Sequence, residues 1–374
     1  MDDAPRPTLA VAERIRRATV LEVIYPAARG PIGLRGSQAP LSWTETTPPT
    51  ASVGDRHVFE LAIAEGDVVD VKLVRREDDW ASGRNYVVHA GDHLHLEPAF
   101  ERSTSRLTDP ATVEHDGERL SYRVLLPPSY DEQTAKKYPV IYAQDGQSLW
   151  TTSSDPYGVW NLDATIDGLL ELAAIEELIV VGIDTSERRL ERLSPVADAD
   201  HGGGGADRHL RAIVEALKPR IDAELRTRAG REDTAVMGSS MGGLFAFHAA
   251  WSRPDVFGKA ICLSSSFWWA SRHAIRAVST ARSPRPTLYL DSGAALSAEE
   301  RDPGAKDGFH DVRSMQRALL RAGYVNGQDL HRLTFPGQTH DAAAWAARIA
   351  IPLQLLFAPA PLTQVPAAAL EPVG

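Results

Sequence analysis

A chain of 374 residues with 43% hydrophobic residues and a formal net charge of -10 is too long for one ordinary compact domain, so a large domain with a smaller companion is expected. The acidic balance argues against nucleic acid as the main ligand and makes any anionic substrate depend on a local basic patch. A single cysteine, Cys262 in the apolar stretch GKAICLSSSF, excludes a disulfide framework and a cysteine-based zinc site, and is expected to be a buried small hydrophobe.

The first residues, MDDAPRPTLAVAERIRRATVLEV, lack an apolar segment behind a basic start, and no apolar run is long enough to cross a bilayer. The expectation is a cytoplasmic protein with no membrane partner. AVAERIRRATVLEVIY is expected to form a short helix, or a helix running into a strand, and GLRGSQAPLSWTETTPPTAS a loop. Over residues 57–98 polar and apolar side chains alternate in HVFELAI, VVDVKLVR, NYVVHA and HLHLEP, with turns between them, as in a small β-sandwich. His93 and His95 share one strand face there. With no third ligand nearby they are expected to be solvent-facing polar residues rather than a metal pair.

After about residue 110 strands alternate with helices. The strands are LSYRVLLPPSY, YPVIYAQDG, ELIVVGID, DTAVMG, KAICLSSSF, PTLYLDSG and HRLTFPG. WNLDATIDGLLELAAI, DRHLRAIVEALKPRIDAEL, GGLFAFHAAWSRP, DVRSMQRALLRAGY and DAAAWAARIAIPLQLLF are expected helices. The alternation predicts an α/β fold, a mainly parallel sheet with helices on both faces. The expected domains are a β-rich unit over 1–108, a catalytic α/β unit over 109–358 and a disordered Pro/Ala-rich tail over 359–374.

The stretch GSSMG carries chemistry. Centred on Ser240 it fits G-x-S-x-G, whereas centring on Ser239 would require glycine where Met237 and Met241 stand. A β-branched strand precedes it and a small-residue helix follows, the setting of a nucleophile elbow. The helix N-terminus supplies free N–H groups beside the hydroxyl, with the Met241 N–H as one oxyanion donor. A serine hydroxyl needs a base. Of 12 histidines, His340 lies in the loop between the last strand and the last helix, whereas His331 begins that strand and His310 precedes a helix. The acid belongs on the stretch DSGAALSAEERDPGAKDG, among Asp291, Glu299, Glu300 and Asp302. The second oxyanion donor is expected to be the N–H of Gln147, after the Asp145-Gly146 turn. The HGGGG run at 201–205 lies too late in the chain for that task and is expected to be a mobile loop at the pocket rim.

Several segments in order, including KYPVIYAQDGQSLW, LIVVGIDTSERRLERLSP, AVMGSSMGGLFAFHAAWSRPDVFGKAICLSSSFWW and THDAAAWAARI, resemble the enterochelin-esterase and esterase-D-like branch of the α/β-hydrolases over roughly residues 115–358. The N-terminal stretch KLVRREDDWASGRN is similar to the sandwich domain that precedes the hydrolase domain in that group. The resemblance implies a serine nucleophile at Ser240, a base at His340, oxyanion groups at Gln147 and Met241, and hydrolysis of carboxylic esters, either siderophore trilactones or acyl and feruloyl esters of sugars. Relatives often carry the acid three residues after the glycine that ends the acid's strand. Here Gly293 is followed by Ala294, Ala295 and Leu296, so the acid has moved to Glu299, Glu300 or Asp302, or a Ser-His dyad operates.

Arg188, Arg189 and Arg192 follow a strand, and if they line the site they hold an anionic substrate such as a ferric catecholate. Trp150, Trp160, Trp268 and Trp269 fall near the same strand ends and serve either core or pocket. The expected partner is a small-molecule ester. No cofactor or metal is needed, and a homo-oligomer is allowed. An acyltransferase on the same scaffold is the rival chemistry.

Overall fold

The computed structural model describes residues 15–278, 284–294 and 307–359. Within it the chain divides into two units, one holding residues 15–101 and 131–134, the other 102–130 and 135–359. The division thus falls before residue 108, and a short return segment of the second half belongs with the first unit. The tail expected to be disordered lies, beyond Pro359, outside the described residues.

The first unit is a pair of small sheets. Strands β1 (Arg16–Ile24), β2 (Ile32–Gly36), β3 (Ala51–Val53), β4 (Arg56–Ala64), β5 (Val68–Arg75), β6 (Asp79–Trp80), β7 (Tyr86–His89) and β8 (His93–Leu96) form it. One sheet has the order β3-β4-β1-β8, and the other joins β2, β5 and β6, with β7 also on β5. Leu21, Val23, Leu34, Phe59, Leu61, Val69 and Val71 fill one core. Of the two alternatives expected for the first stretch, a short helix fails over residues 16–24, which form a strand because Thr19, Leu21 and Val23 alternate inward and the β-branched side chains suit a pleated surface; residues before 15 lie outside the described ones. The turn-rich stretch from Gly33, expected to be a loop, instead includes most of β2 and the start of β3. Residues 131–134 are held by Glu132, whose buried carboxylate accepts from the Tyr25 hydroxyl at 2.6 Å and the Phe100 N–H at 2.8 Å.

The second unit carries β9 (Arg106–Leu107), β10 (Ala111–His115), β11 (Glu118–Leu126), β12 (Val140–Gln144), α1 (Leu162–Glu171), β13 (Ile179–Asp184), α2 (Arg189–Leu193), β14 (Ala197–Asp198), β15 (Gly202–Gly203), α3 (Ala206–Ala212), α4 (Lys218–Glu224), β16 (Thr234–Ser239), α5 (Met241–Ser252), β17 (Lys259–Leu263), α6 (Trp269–Ala277), β18 (Thr287–Ala294), α7 (Phe309–Arg321), β19 (Leu330–Pro336), α8 (Ala342–Arg348) and α9 (Ala350–Leu356). Its sheet is mixed, in the order β10-β11-β13-β12-β16-β17-β18-β19, with β9 on β11. Pairing is antiparallel from β10 to β13 and parallel from β13 to β19.

Both sheet faces are covered. Val140 and Tyr142 pack with Leu210, Ile213 and Phe245, while Ile141 and Ala143 pack with Leu162, Ile166 and Leu353. Buried strands facing helices on both sides need apolar residues without alternation, as VIYA shows. Prolines disturb two expected helices, the first of which still runs without a gap from Ala206 to Glu224. Pro219 cannot donate to the preceding turn, and residues 213–217 widen to a π-helix before α4. Pro352 likewise leaves α8 and α9 as two short helices rather than one. The chain steps from β12 to β13 on one side and to β16 on the other. The crevice between β12 and β16 is therefore the switch point where open α/β sheets place their sites.

Candidate active site

Ser240 follows β16 directly and caps α5 with φ 55° and ψ -117°, a strained pair of angles for a residue with a side chain. Close backbone packing forces the glycines around it. A Cβ on Gly238 would lie 2.4 Å from the carbonyl carbon of Gly242, and one on Gly243 would lie 2.4 Å from the Ser265 hydroxyl. The Ser240 N–H donates to Leu263 at 2.9 Å and its carbonyl accepts from Ser266 at 3.0 Å, so the turn is tied to the end of β17.

Ser240 Oγ lies 2.8 Å from His340 Nε2, placed to donate to it, and 3.2 Å from the Ser266 hydroxyl. His340 stands on the short loop between β19 and α8. Its ring meets the Trp345 ring edge-on, with centroids 5.2 Å apart. On the far side Nδ1 donates to Asp307 Oδ1 at 2.5 Å.

Asp307 was not among the expected acids. It is buried, and its second oxygen accepts from the Gly293 N–H at 2.5 Å, the Ser264 hydroxyl at 2.6 Å and Arg348 Nη2 at 3.2 Å. It is the last carboxylate of DSGAALSAEERDPGAKDG, and Asp-Gly before a periodic helix reads as helix punctuation. Gly293 is the nearby signal: a Cβ there would lie 1.9 Å from the Gln338 carbonyl oxygen and 3.0 Å from the Asp307 Cβ, so glycine is needed where the loop before His340 and the acid close in.

Asp291 does not meet His340. It is buried, accepting from the Ser264 N–H at 2.9 Å and the Tyr289 hydroxyl at 3.1 Å, with Arg348 Nε at 3.1 Å. Burial pushes its carboxyl up to about 6 against the pull of Arg348. Its position at the strand end made it plausible, but the side chain is engaged by Ser264, Tyr289 and Arg348 instead. Glu299, Glu300 and Asp302 lie outside the described residues. Arg348, fully buried, thus bridges the two carboxylates and also donates to Gln338 at 3.0 Å and to Ser264.

Met241 is the first residue of α5, and the first intrahelical bond runs from the Leu244 N–H to the Ser240 carbonyl at 3.0 Å, so the Met241 N–H has no partner within the helix. Gln147 lies on the 3₁₀ turn Gly146–Ser148 directly after β12, the strand beside β16. Its side-chain oxygen accepts from the Thr185 N–H at 3.3 Å.

The arginines of the expected basic patch are tied into ion pairs. Buried Glu118 on β11 takes Arg192 Nε at 2.6 Å, Arg188 at 3.2 Å and Arg208 at 3.0 Å. Arg192 also donates to the Arg119 carbonyl at 2.7 Å, so its guanidinium is tied to the sheet edge on two sides. Arg189 is engaged two-pronged by Asp145, at 2.8 Å on each oxygen. Trp150 is buried in the core against Gly182, and Trp160 is buried in the same cluster. Trp268 is 44% exposed, and with Trp269 it brackets the His201 ring at centroid distances of 5.8 and 5.7 Å. The HGGGG run carries β15, paired with β14 in a short hairpin, and its Gly204 N–H donates to Ser194 Oγ at 2.8 Å.

Cys262 is buried and its thiol is pushed up by desolvation. Half-buried His95 in the first unit lies 3.7 Å from both Glu22 and Glu97. Among the described residues no group of three or more His, Cys, Asp or Glu is placed to hold a metal ion, and no helix is long and apolar enough to cross a membrane.

A serine on a strained strand-to-helix turn, a histidine from the loop after the last strand and a buried carboxylate behind it, at the switch point of a mixed sheet, define an α/β-hydrolase-like protein. The chain belongs to the Esterase family, described as "Putative esterase", whose model matches residues 115–354. The resemblance to the enterochelin-esterase group holds in its relatives. It is 37% identical over 181 residues to a siderophore enterobactin esterase of Emericella nidulans, covering 43% of this chain and 59% of that one. It is 32% identical over 150 residues to a siderophore triacetylfusarinine C esterase of Aspergillus fumigatus, covering 38% and 49%. Both alignments span less than two thirds of the relatives' length. In fold it is similar to the siderophore hydrolase EstA from Aspergillus nidulans, with TM-score 0.51 and 21% identity over 67% of this chain and 94% of that one.

Proposed function

We propose that the protein is a serine carboxylic-ester hydrolase working through an acyl-enzyme on siderophore-type esters or lactones. The observation that carries the chemistry is the chain Ser240–His340–Asp307, at 2.8 and 2.5 Å. The substrate class is supported by the names of the two relatives.

In this reading Ser240 Oγ attacks the ester carbonyl carbon while His340 Nε2 takes its proton. Asp307 fixes the Nδ1–H tautomer and stabilises the imidazolium that forms. The carbonyl oxygen, now an anion, is received by the N–H groups of Met241 and Gln147. His340 then protonates the leaving alkoxide, the C–O bond breaks, and water enters by the reverse proton path to release the acid and restore Ser240. No step calls on Arg192 or Trp150. Trp268, exposed beyond Ser266, is the aromatic side chain left to meet a substrate ring.

Ser240→Ala should abolish turnover of enterobactin and triacetylfusarinine C, followed by chromatography of the released acid and alcohol, with folding unchanged. Full turnover in that variant overturns the mechanism. A wild-type preference for feruloyl or acetyl sugar esters over both siderophores overturns the substrate class. Transfer of the acyl group to an added alcohol in preference to water would make the protein an acyltransferase.

A further inference from the structure

The Asp145–Arg189 pair has no part in the proton relay, yet it occupies the ground between the proposed oxyanion donors. Asp145 is the first residue after β12 and holds φ 58° and ψ 44°, a left-handed conformation that a residue with a side chain seldom adopts. The turn it starts carries Gly146 and Gln147. Gly146 is pressed onto β13, since a Cβ there would lie 2.5 Å from the Gly182 carbonyl carbon. The Asp145 carboxylate is buried, and its Oδ2 would stand 3.2 Å from a Cβ on Gly242, over the first turn of α5. A negative charge therefore sits at the helix end whose positive dipole serves the oxyanion. Left unpaired, it would oppose the charge that develops on the substrate oxygen.

Arg189 meets this charge. Its Nε and Nη2 donate to Oδ1 and Oδ2, both at 2.8 Å, while the Thr185 hydroxyl donates to Oδ1. Nη2 also lies 3.5 Å from the Ser239 carbonyl, next to the nucleophile. One guanidinium from α2 thus ties the ends of β12 and β16, while Thr185 joins the end of β13 to the same carboxylate. The two-pronged geometry suits a planar guanidinium and not an ammonium.

We infer that Arg189 is a positioning residue: it neutralises and orients Asp145 so that the turn bearing Gln147 can stabilise an oxyanion. This rests on the reading of Gln147 and Met241 as oxyanion donors, but not on any particular ester. Arg189 then acts through Asp145 rather than by gripping an anionic substrate.

The test uses a neutral fluorophosphonate, whose P=O oxygen needs the same donors. Ser240 Oγ forms the bond to phosphorus, fluoride leaves, and the proton passes to His340. The rate of labelling is measured for wild type, Arg189→Met, Arg189→Lys, Asp145→Asn and the Asp145→Asn/Arg189→Met double variant, with thermal melts to give the folded fraction. Arg189→Met is expected to slow labelling about tenfold, the mid-range of coupling between charges in contact. The double variant is expected to recover to within about threefold of wild type, since the unpaired charge is gone, and Arg189→Lys should fall between. On an ester turned over by the wild type, Arg189→Met should lower kcat with KM nearly unchanged. A double variant no faster than Arg189→Met, or a rise in KM confined to anionic esters with normal labelling, overturns the inference. If Arg189→Met fails to fold, Arg189→Lys carries the comparison, and labelling at the wild-type rate in that variant overturns the two-pronged requirement. A wild type that labels in the pattern expected here but cleaves no siderophore ester refutes the proposed function and leaves this inference standing. A wild type that does not label refutes both.

Discussion

Asp307→Asn separates the carboxylate that serves His340 from the one the sequence suggested. The wild-type Nδ1–Oδ1 distance is 2.5 Å, with the Asp307 side chain fully buried and that of His340 36% exposed. Charge centres about 4 Å apart interact by about 4 kcal/mol at an effective dielectric near 20. Water on the open side of His340 screens part of that, leaving about 2–4 kcal/mol for the imidazolium of the transition state. The variant should therefore lose roughly 30- to 1000-fold in kcat. Asparagine keeps an oxygen for the Gly293 N–H and the Ser264 hydroxyl, so the fold should survive. Asp291→Asn, whose partners are Ser264, Tyr289 and Arg348, should stay within about fivefold of wild type, the size of one neutral hydrogen bond. The assay is steady-state hydrolysis of a 4-nitrophenyl ester, per serine titrated with a phosphonate, beside a thermal melt. If Asp307→Asn retains activity within about threefold while Asp291→Asn loses it, the assignment of the acid is wrong.

Gly238→Ala should cost about 2 kcal/mol or more in urea denaturation, because the new methyl would meet the Gly242 backbone at 2.4 Å with no flexible neighbour to yield; a change below about 0.5 kcal/mol would contradict that packing. His209, buried with Nε2 2.9 Å from Gln144 Oε1, is pushed down to about 3 by desolvation, with Arg192 and Arg188 adding repulsion. Below its unfolded value of 6.5 only the unfolded chain takes up the proton, so stability is lost as pH falls from there toward the folded value. Between pH 7.5 and 5 the wild type should therefore lose about 2 kcal/mol that His209→Leu does not, and parallel stability curves would refute the buried neutral imidazole.

What was legible in the sequence was local. Gly238, Ser240 and Gly242 announce a sharp turn between a β-branched strand and a small-residue helix, and His340 falls between two elements whose types are plain. The first fifty residues misled because proline and glycine punctuate β2 and β3 without ending them. Arg188, Arg189 and Arg192 look like a basic patch because adjacent like charges are visible in the chain, whereas Glu118 and Asp145 reach them only through sheet pairing. Trp345, whose Nε1–H reaches the Ser264 hydroxyl at 3.0 Å beside His340, gave no signal beyond a helical apolar position.

Asp307 has a consequence for how such chains are compared. Among the described residues its anchors besides His340 are the Gly293 N–H, the Ser264 hydroxyl and Arg348. The acid is addressed by a spot in space beside that glycine, not by a count of residues from the strand. A column-by-column alignment that looks three places after Gly293 finds leucine and would declare the residue lost.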